Sequence, residues 1–248
     1  MKLEGRIVRG LSYGLACALV FAFGMTIVTQ GVRFARRVVP VANAAVPPAP
    51  EIWVIDPGHG GEDGGASNAT GAVVEKTLNL AVAERIAAVA KLFGHDCILT
   101  RTDDRLLYDA YHDLPEYRGK KKTYDLRNRL RMAENAALFV GIHMNKFPEP
   151  RYHGLQVWYS PNDPKSADYA AFVQSYVKST LQPDNERAVK KATSSIYLLH
   201  RLRCPAILVE CGFLSNETEC AALATPAYQT ALSAVLLAAI AECADANG

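Results

Sequence analysis

Three short apolar runs, at 51–56, 136–142 and 205–209, each carry the chain directly to a residue that can bind a metal or move a proton. The first, Glu-Ile-Trp-Val-Ile-Asp, breaks at Pro57-Gly58 and is followed by His59. His143 follows the second and Glu210 the third. Apolar runs of this length bounded by Pro and Gly read as buried strands. Between the first two, Glu75 opens a stretch with apolar residues at Leu78, Leu80, Val82, Ile86 and Val89, the stripe of an amphipathic helix. Strands alternating with helices pack as an α/β domain, and in such sheets ligands collect beyond the carboxyl ends of the strands. The pattern therefore predicts that His59, Glu75, His143 and Glu210 meet in one place.

The remaining segments extend this reading. Residues 97–100 and 154–160 read as further strands, and 125–135, 165–181 and 196–202 as helices. An Ala- and Leu-rich helix over 226–244 is expected to pack across the sheet. Residues 101–122 are polar, carry Tyr108, Tyr111 and Tyr117, and suit a loop over the site. The expected architecture is one α/β domain over 51–246, with a mostly parallel twisted central sheet flanked by helices and an N-terminal membrane segment ahead of it.

Two imidazoles and one carboxylate form a frequent ligand set for catalytic zinc, because three protein ligands leave a fourth position open for water. His59, Glu75 and His143 supply that set, and Glu210 supplies a further carboxylate able to act as general base. Asn79 lies four residues after Glu75, on the same helical face, where it can orient the ligand carboxylate or simply be a polar surface residue. Asp56 can accept a hydrogen bond that fixes the His59 ring, although Asp-Pro-Gly is also a common turn. Asn145 can touch glycan or peptide, or cap a turn. His95, His112, His153 and His200 stand outside any ligand constellation.

A formal charge of +2 gives no global reason to expect a nucleic-acid partner. The basic run at 118–122 reads as a solvated loop. The six cysteines contain no Cys-x-x-Cys pair, which argues against a thiolate metal site. Cys211, next to Glu210, should point away from it because side chains alternate along a strand. Residues 11–28 carry no charge and follow Lys2, Arg6 and Arg9, so 1–32 reads as a signal anchor or signal peptide, with 33–50 as a stiff Pro- and Ala-rich linker.

The strings Ile-Asp-Pro-Gly-His-Gly-Gly (55–61), Glu-Lys-Thr-Leu-Asn (75–79), Gly-Ile-His-Met-Asn (141–145) and Val-Glu-Cys-Gly-Phe-Leu-Ser-Asn (209–216) occur in that order. With Leu99-Thr100-Arg101, they resemble the type 3 family of zinc-dependent N-acetylmuramoyl-L-alanine amidases over 51–244. Asp-Leu-Arg-Asn-Arg (125–129), Asn-Lys-Phe (145–147) and Gly-Leu-Gln-Val-Trp-Tyr-Ser (154–160) are similar to its germination-specific, spore-cortex branch. The resemblance implies hydrolysis of the amide between N-acetylmuramic acid and L-alanine of the stem peptide. It maps the family's zinc ligands onto His59, Glu75 and His143, and its catalytic glutamate onto Glu210. Gly141 and Cys211 depart from the family's usual residues, and neither belongs to the ligand set.

The resemblance further implies peptidoglycan, both glycan strand and stem peptide, as the substrate. It also implies action outside the cytoplasm, anchored to the membrane or secreted to the wall or spore cortex, in forming muramic-lactam. An accessory lipoprotein is a further partner to consider. Two rival readings use the same residues: a zinc peptidase cutting within the stem peptide, and a non-catalytic, zinc-stabilised module that binds the wall or a partner. Structural zinc sites usually close with four protein ligands, so three ligands plus a free carboxylate favour catalysis.

Overall fold

The β-forming runs assemble into one six-stranded sheet: β1 (Trp53–Pro57), β2 (Cys97–Leu99), β3 (Leu138–Asn145), β4 (Gln156–Tyr159), β5 (Lys190–Lys191) and β6 (Ala206–Phe213). These come from a computed structural model of the 248-residue chain, which describes residues 51–108 and 119–247. The expected membrane segment and linker, 1–50, lie outside the described residues, as do Tyr111, His112, Tyr117 and Arg118. The strand order is β2-β1-β3-β6-β4-β5. β2, β1, β3 and β6 run parallel, while β4 is antiparallel to β6 and carries the short β5 parallel to itself. The sheet is therefore mixed: the parallel part runs from the β2 edge to β6, its strands joined by crossover connections, and β4 and β5 close the other edge.

The helices are α1 (Glu75–Leu92), α2 (Lys121–Met132), α3 (Lys165–Thr180), α4 (Tyr197–Arg201), α5 (Glu217–Leu223) and α6 (Pro226–Asn247). On one face, α1 lies over β1, β2 and β3, α3 lies over β4 and β6, and α6 rests against both helices. Alternate strand residues Trp53, Ile55, Val140, Ile142, Ile207 and Val209 join Leu78, Val82, Ile86, Val173, Leu236 and Ile240 in the larger core. By length and composition α6 could cross a membrane, but Leu232, Leu236, Leu237, Ala239 and Ile240 are buried in this core.

The other face is covered less completely. Val54, Phe139, Ala206 and Leu208 point to it and pack under Leu126, Leu130, Leu198, Leu199 and Leu202 of α2, α4 and the turn after α4. Side chains alternate along a strand, so the next residues on this face toward the carboxyl ends are Asp56, His143, Glu210 and, on antiparallel β4, Gln156. The apolar cover ends before it reaches them, and this polar row is what the sheet presents for chemistry. Strand boundaries differ from expectation at the site itself: β3 continues three residues beyond its apolar run and β6 four, so His143 and Glu210 sit within strands and not after them.

The fully buried Leu236 joins α6 to the core shared with α1 and α3. Leu236→Ala should lower stability by about 2–5 kcal/mol, the usual cost of a large-to-small core change. A shift in the urea midpoint with an unchanged slope checks it.

Candidate metal centre and active site

β1 ends in Pro57, and the chain turns through Gly58, His59, Gly60 and Gly61. His59 has φ 63°, an uncommon conformation for a residue with a side chain. Two buried guanidiniums hold it there. Arg129 donates from Nη2 to His59 O (2.7 Å) and from Nη1 to Pro57 O (2.9 Å). Arg101 donates from Nε to Pro57 O (2.9 Å) and from Nη2 to Gly58 O (2.9 Å) and Lys76 O (2.8 Å). Arg129 is anchored in turn by Asp56 (2.5 Å) and Asp125 (2.9 Å), and Thr100 donates to Asp56 (2.5 Å). Burial raises the Asp56 carboxyl, but Arg129 and Thr100 outweigh it and hold the group below its ordinary range.

Asp56 therefore acts on the loop backbone and leaves the His59 ring to another carboxylate. His59 Nδ1 lies 3.0 Å from Asp63 Oδ2, and Lys122 Nζ lies 3.0 Å from the same oxygen. Asp63 was not legible in the sequence, where it is one of several acids in a Gly-rich loop. Lys121 pairs with Glu62 at 3.0 Å, so the basic run at the start of α2 is tied to the His59 loop and is more than solvated surface. Asp104 pairs with Lys76 (2.7 Å) and accepts from Gly61 N, which gives the Asp103-Asp104 turn its charge pairing.

Glu75 is the first residue of α1, where the helix dipole favours a negative charge. Its Oε2 accepts from Ala66 N (2.7 Å) and its Oε1 from Met144 N (3.1 Å) and Asn79 Nδ2 (3.3 Å). Asn79 is fully buried and also donates to Gly58 O at 3.1 Å, so it belongs to the interior and not to a surface helix face. Oε1 lies 3.1 Å from His59 Nε2 and 2.9 Å from His143 Nδ1. The two rings meet edge to face, with centroids 5.0 Å apart. Burial opposes ionisation of Glu75, but the bonds to His143 and His59 prevail and hold its carboxyl well below the ordinary range. Burial likewise works against protonated His59, while Glu75 and Asp63 raise its pKa.

One oxygen and two imidazole nitrogens thus converge, and one ligand atom from each residue lies within 4.8 Å of the others. Bonds of 2.0–2.1 Å in a tetrahedron put neighbouring donors about 3.3 Å apart, close to the separations seen here. The His59–Glu75–His143 group fits a metal site in both donor chemistry and spacing. Two glycines make room for it. A Cβ on Gly58 would lie 2.2 Å from His143 Nε2, and one on Gly65 (φ +68°) would lie 2.5 Å from Glu75 Oε2.

Glu210 is the register partner of His143 on β6. The residue is half-buried, its Oε2 has no hydrogen-bond partner, and burial pushes its pKa up to about 7 against the pull of His143 and His59. Cys211 faces the opposite core, fully buried, and burial raises its thiol far above the ordinary value. Beyond Glu210, β6 holds one residue more than β3 does: His143 pairs with Glu210, but Asn145 with Phe213. This bulge brings Phe213 to the site face beside Asn145, where strict alternation would have turned it away. Asn145 accepts from Lys146 N at 2.8 Å and lines the cleft that Phe213 floors.

Gly58→Ala leaves an ordinary backbone conformation in place but drives a methyl into the His143 ring. Metal uptake should weaken at least about tenfold, on the scale of lost supporting contacts, while circular dichroism stays unchanged. Metal content after zinc loading reads this out. Arg129→Met strands Asp56 and Asp125 in the interior and should cost about 3–5 kcal/mol at pH 7. Asp56 is depressed in the folded state, so its contribution is present above the ordinary 3.8 and is lost as pH falls below it. The stability gap between wild type and variant should accordingly narrow in acid, as urea midpoints across pH would reveal.

Comparison with known proteins agrees with this geometry. The pattern of the Amidase_3 family, N-acetylmuramoyl-L-alanine amidase, matches residues 54–242. The germination-specific N-acetylmuramoyl-L-alanine amidase of Bacillus subtilis is 32% identical over 187 residues, which span 75% of this chain and 76% of that protein. The CwlD amidase of Clostridioides difficile, solved in complex with the GerS lipoprotein, superposes with a TM-score of 0.73 at 33% identity, covering 79% of this chain and 99% of that one. Amidase AmiC2 of Nostoc punctiforme superposes with a TM-score of 0.67 at 28% identity, covering 79% and 98%. The chain belongs to the N-acetylmuramoyl-L-alanine amidase family and is a peptidoglycan amidase, as its sequence predicts.

Proposed function

We propose that the chain hydrolyses the amide joining the lactyl group of N-acetylmuramic acid to L-alanine of the stem peptide. In this reading zinc is held by His59, Glu75 and His143, and Glu210 carries the proton. The observation that carries it is the approach of Glu75 Oε1 to both imidazoles within 3.1 Å, with Glu210 as the strand neighbour of His143. When bound, zinc supplies a Lewis acid that makes hydroxide available near neutral pH and polarises a carbonyl.

The chain's own residues do the rest. Ala66, Met144 and Asn79 hold the Glu75 carboxylate in one orientation, and Asp63 stands 3.0 Å from His59 Nδ1 as its charge partner. Glu210 takes the proton from the attacking water and returns it to the alanine nitrogen as the C–N bond breaks. A carboxyl raised to about 7 can both accept and donate near neutrality. Asn145 lies at the mouth of the adjoining cleft, in reach of glycan or peptide.

Residues 51–246 then form the catalytic domain, behind a signal anchor or signal peptide (1–32) and a linker (33–50). Action follows outside the cytoplasm, at the wall or spore cortex. Similarity to a germination-specific amidase supports the cortex and its muramic-lactam as the setting. The complex of the Clostridioides difficile neighbour with a lipoprotein supports an accessory lipoprotein as a partner.

The full-length chain, zinc-loaded and given purified peptidoglycan, should release free stem peptides beginning with L-alanine, read by mass spectrometry and abolished by a chelator. Fragments cut within the stem would redirect the assignment to a peptidase. Glu210→Gln should keep its metal and lose roughly 10²–10⁴-fold in kcat; full activity would remove its role. Ionised Glu210 is the active form, so kcat/KM should fall on the acid side. The midpoint should lie at or below about 7, because a bound cation favours the carboxylate.

A further inference from the structure

The polar row of the sheet continues past Glu210 onto β4. Gln156 is the register partner of Glu210, is buried, and is fixed at both ends of its amide. Its Nε2 donates to Ala188 O (2.7 Å), and its Oε1 accepts from Arg187 Nη2 (2.6 Å). Arg187 is thereby held over the Phe213 ring, 4.7 Å from its centroid. A guanidinium carries five N–H donors. Here one goes to Gln156, and Nε is buried with no partner.

Among the described residues no carboxylate comes within ion-pair distance of Arg187; Glu210 and Glu219 act on it only from farther away. Lys190 stands over the Trp158 ring at 5.1 Å and likewise forms no ion pair among the described residues. With Asn145, these residues line a cleft of about 420 Å³. The exposed acids Asp184 and Glu186 stand outside this cleft; they line an adjoining cavity that Gln156, Arg187 and Lys190 also border, and neither forms an ion pair with Arg187 or Lys190 among the described residues.

An unpaired guanidinium with free donors, held by a buried glutamine over an aromatic ring, is a receptor for a carboxylate. Its place in the sheet sets the distance. His143, Glu210 and Gln156 sit on three neighbouring strands, so two strand spacings, about 10 Å, separate the backbone behind the metal group from that behind Gln156, whose Oε1 accepts from the Arg187 guanidinium. An extended peptide covers about 7 Å in two residues, and the arginine side chain spans the rest.

We propose that Arg187, supported by Lys190, binds a carboxylate on the residue that follows the L-alanine, which makes Arg187 a specificity-determining residue of the amidase. The inference rests on the amidase reading above. It assigns the peptide side of the substrate to the β4 side of Glu210, and the preferred substrate class to stem peptides whose second residue keeps its α-carboxylate free.

Two synthetic substrates test it with the full-length, zinc-loaded chain: N-acetylmuramoyl-L-alanyl-D-glutamate with a free α-carboxylate, and its α-amide, the γ-carboxyl being capped in both. Wild type should favour the carboxylate at least about tenfold in kcat/KM, the effect of one charge-assisted contact. Arg187→Gln should bring the two substrates within about twofold of each other, mainly by raising KM for the carboxylate. Arg187→Lys should restore part of the preference. Lys190→Gln, at an exposed side chain where folding is not at stake, should reduce it by a smaller factor. Equal cleavage of both substrates by wild type, or a preference that survives in Arg187→Gln, would overturn the proposal and leave the amidase reading intact. Cleavage of neither would overturn both.

Discussion

Glu75 binds three separate parts of the chain through one carboxylate. Oε2 takes the N–H of Ala66 in the loop that leads to α1. Oε1 takes the N–H of Met144 on β3 and lies within 3.1 Å of an imidazole nitrogen from His59 and another from His143. A buried carboxylate is costly unless every lone pair is met, and here each partner that meets it comes from an element needed at the site. The same bonds that keep Glu75 ionised fix the distances between the donors. Order in the metal group follows from the requirement to satisfy that one charge.

The loop that delivers His59 depends on a second buried device. Its carbonyls at Pro57, Gly58 and His59 point inward and find no strand to pair with. Arg101 and Arg129 collect them; Asp56 and Asp125 pair with Arg129, and Thr100 donates to Asp56. A guanidinium suits this work because its fork of fixed donors reaches several carbonyls at once and keeps its charge when buried. His59 can then hold φ 63° without a glycine's freedom. The amphipathic stripe of α2 gives no hint of this, since Arg129 is one arginine among several in an Arg-rich helix.

Much of the catalytic region was legible from one dimension. Apolar runs that end at His59, His143 and Glu210 must be strands, and residues at strand ends on adjacent parallel strands lie side by side. Spacing from Glu75 put Asn79 on the same helical face, and the structure finds it bonded to that carboxylate. Alternation placed Cys211 away from Glu210, in the opposite core. What alternation could not foresee was the bulge after Glu210, which brings Phe213 to the site face. Nor could it choose which nearby acid would meet the His59 ring. Asp56 points into the arginine network beneath the loop, while Asp63, four residues beyond the histidine, curls back to the ring because the glycines between them allow the turn.

The sequence by itself determined the fold class, the family, and that His59, Glu75, His143 and Glu210 would meet at one place, because strand periodicity and short motifs are local properties. Tertiary structure alone decided which carboxylate supports which group and that Arg101 and Arg129 are buried. It also decided that Gln156 and Arg187 extend the row beyond Glu210. Those facts depend on contacts between residues up to 73 positions apart, such as Asp56 with Arg129. Charge and hydrogen-bond satisfaction in a low-dielectric interior are settled by what surrounds a side chain once the sheet has closed, and no local pattern encodes those surroundings.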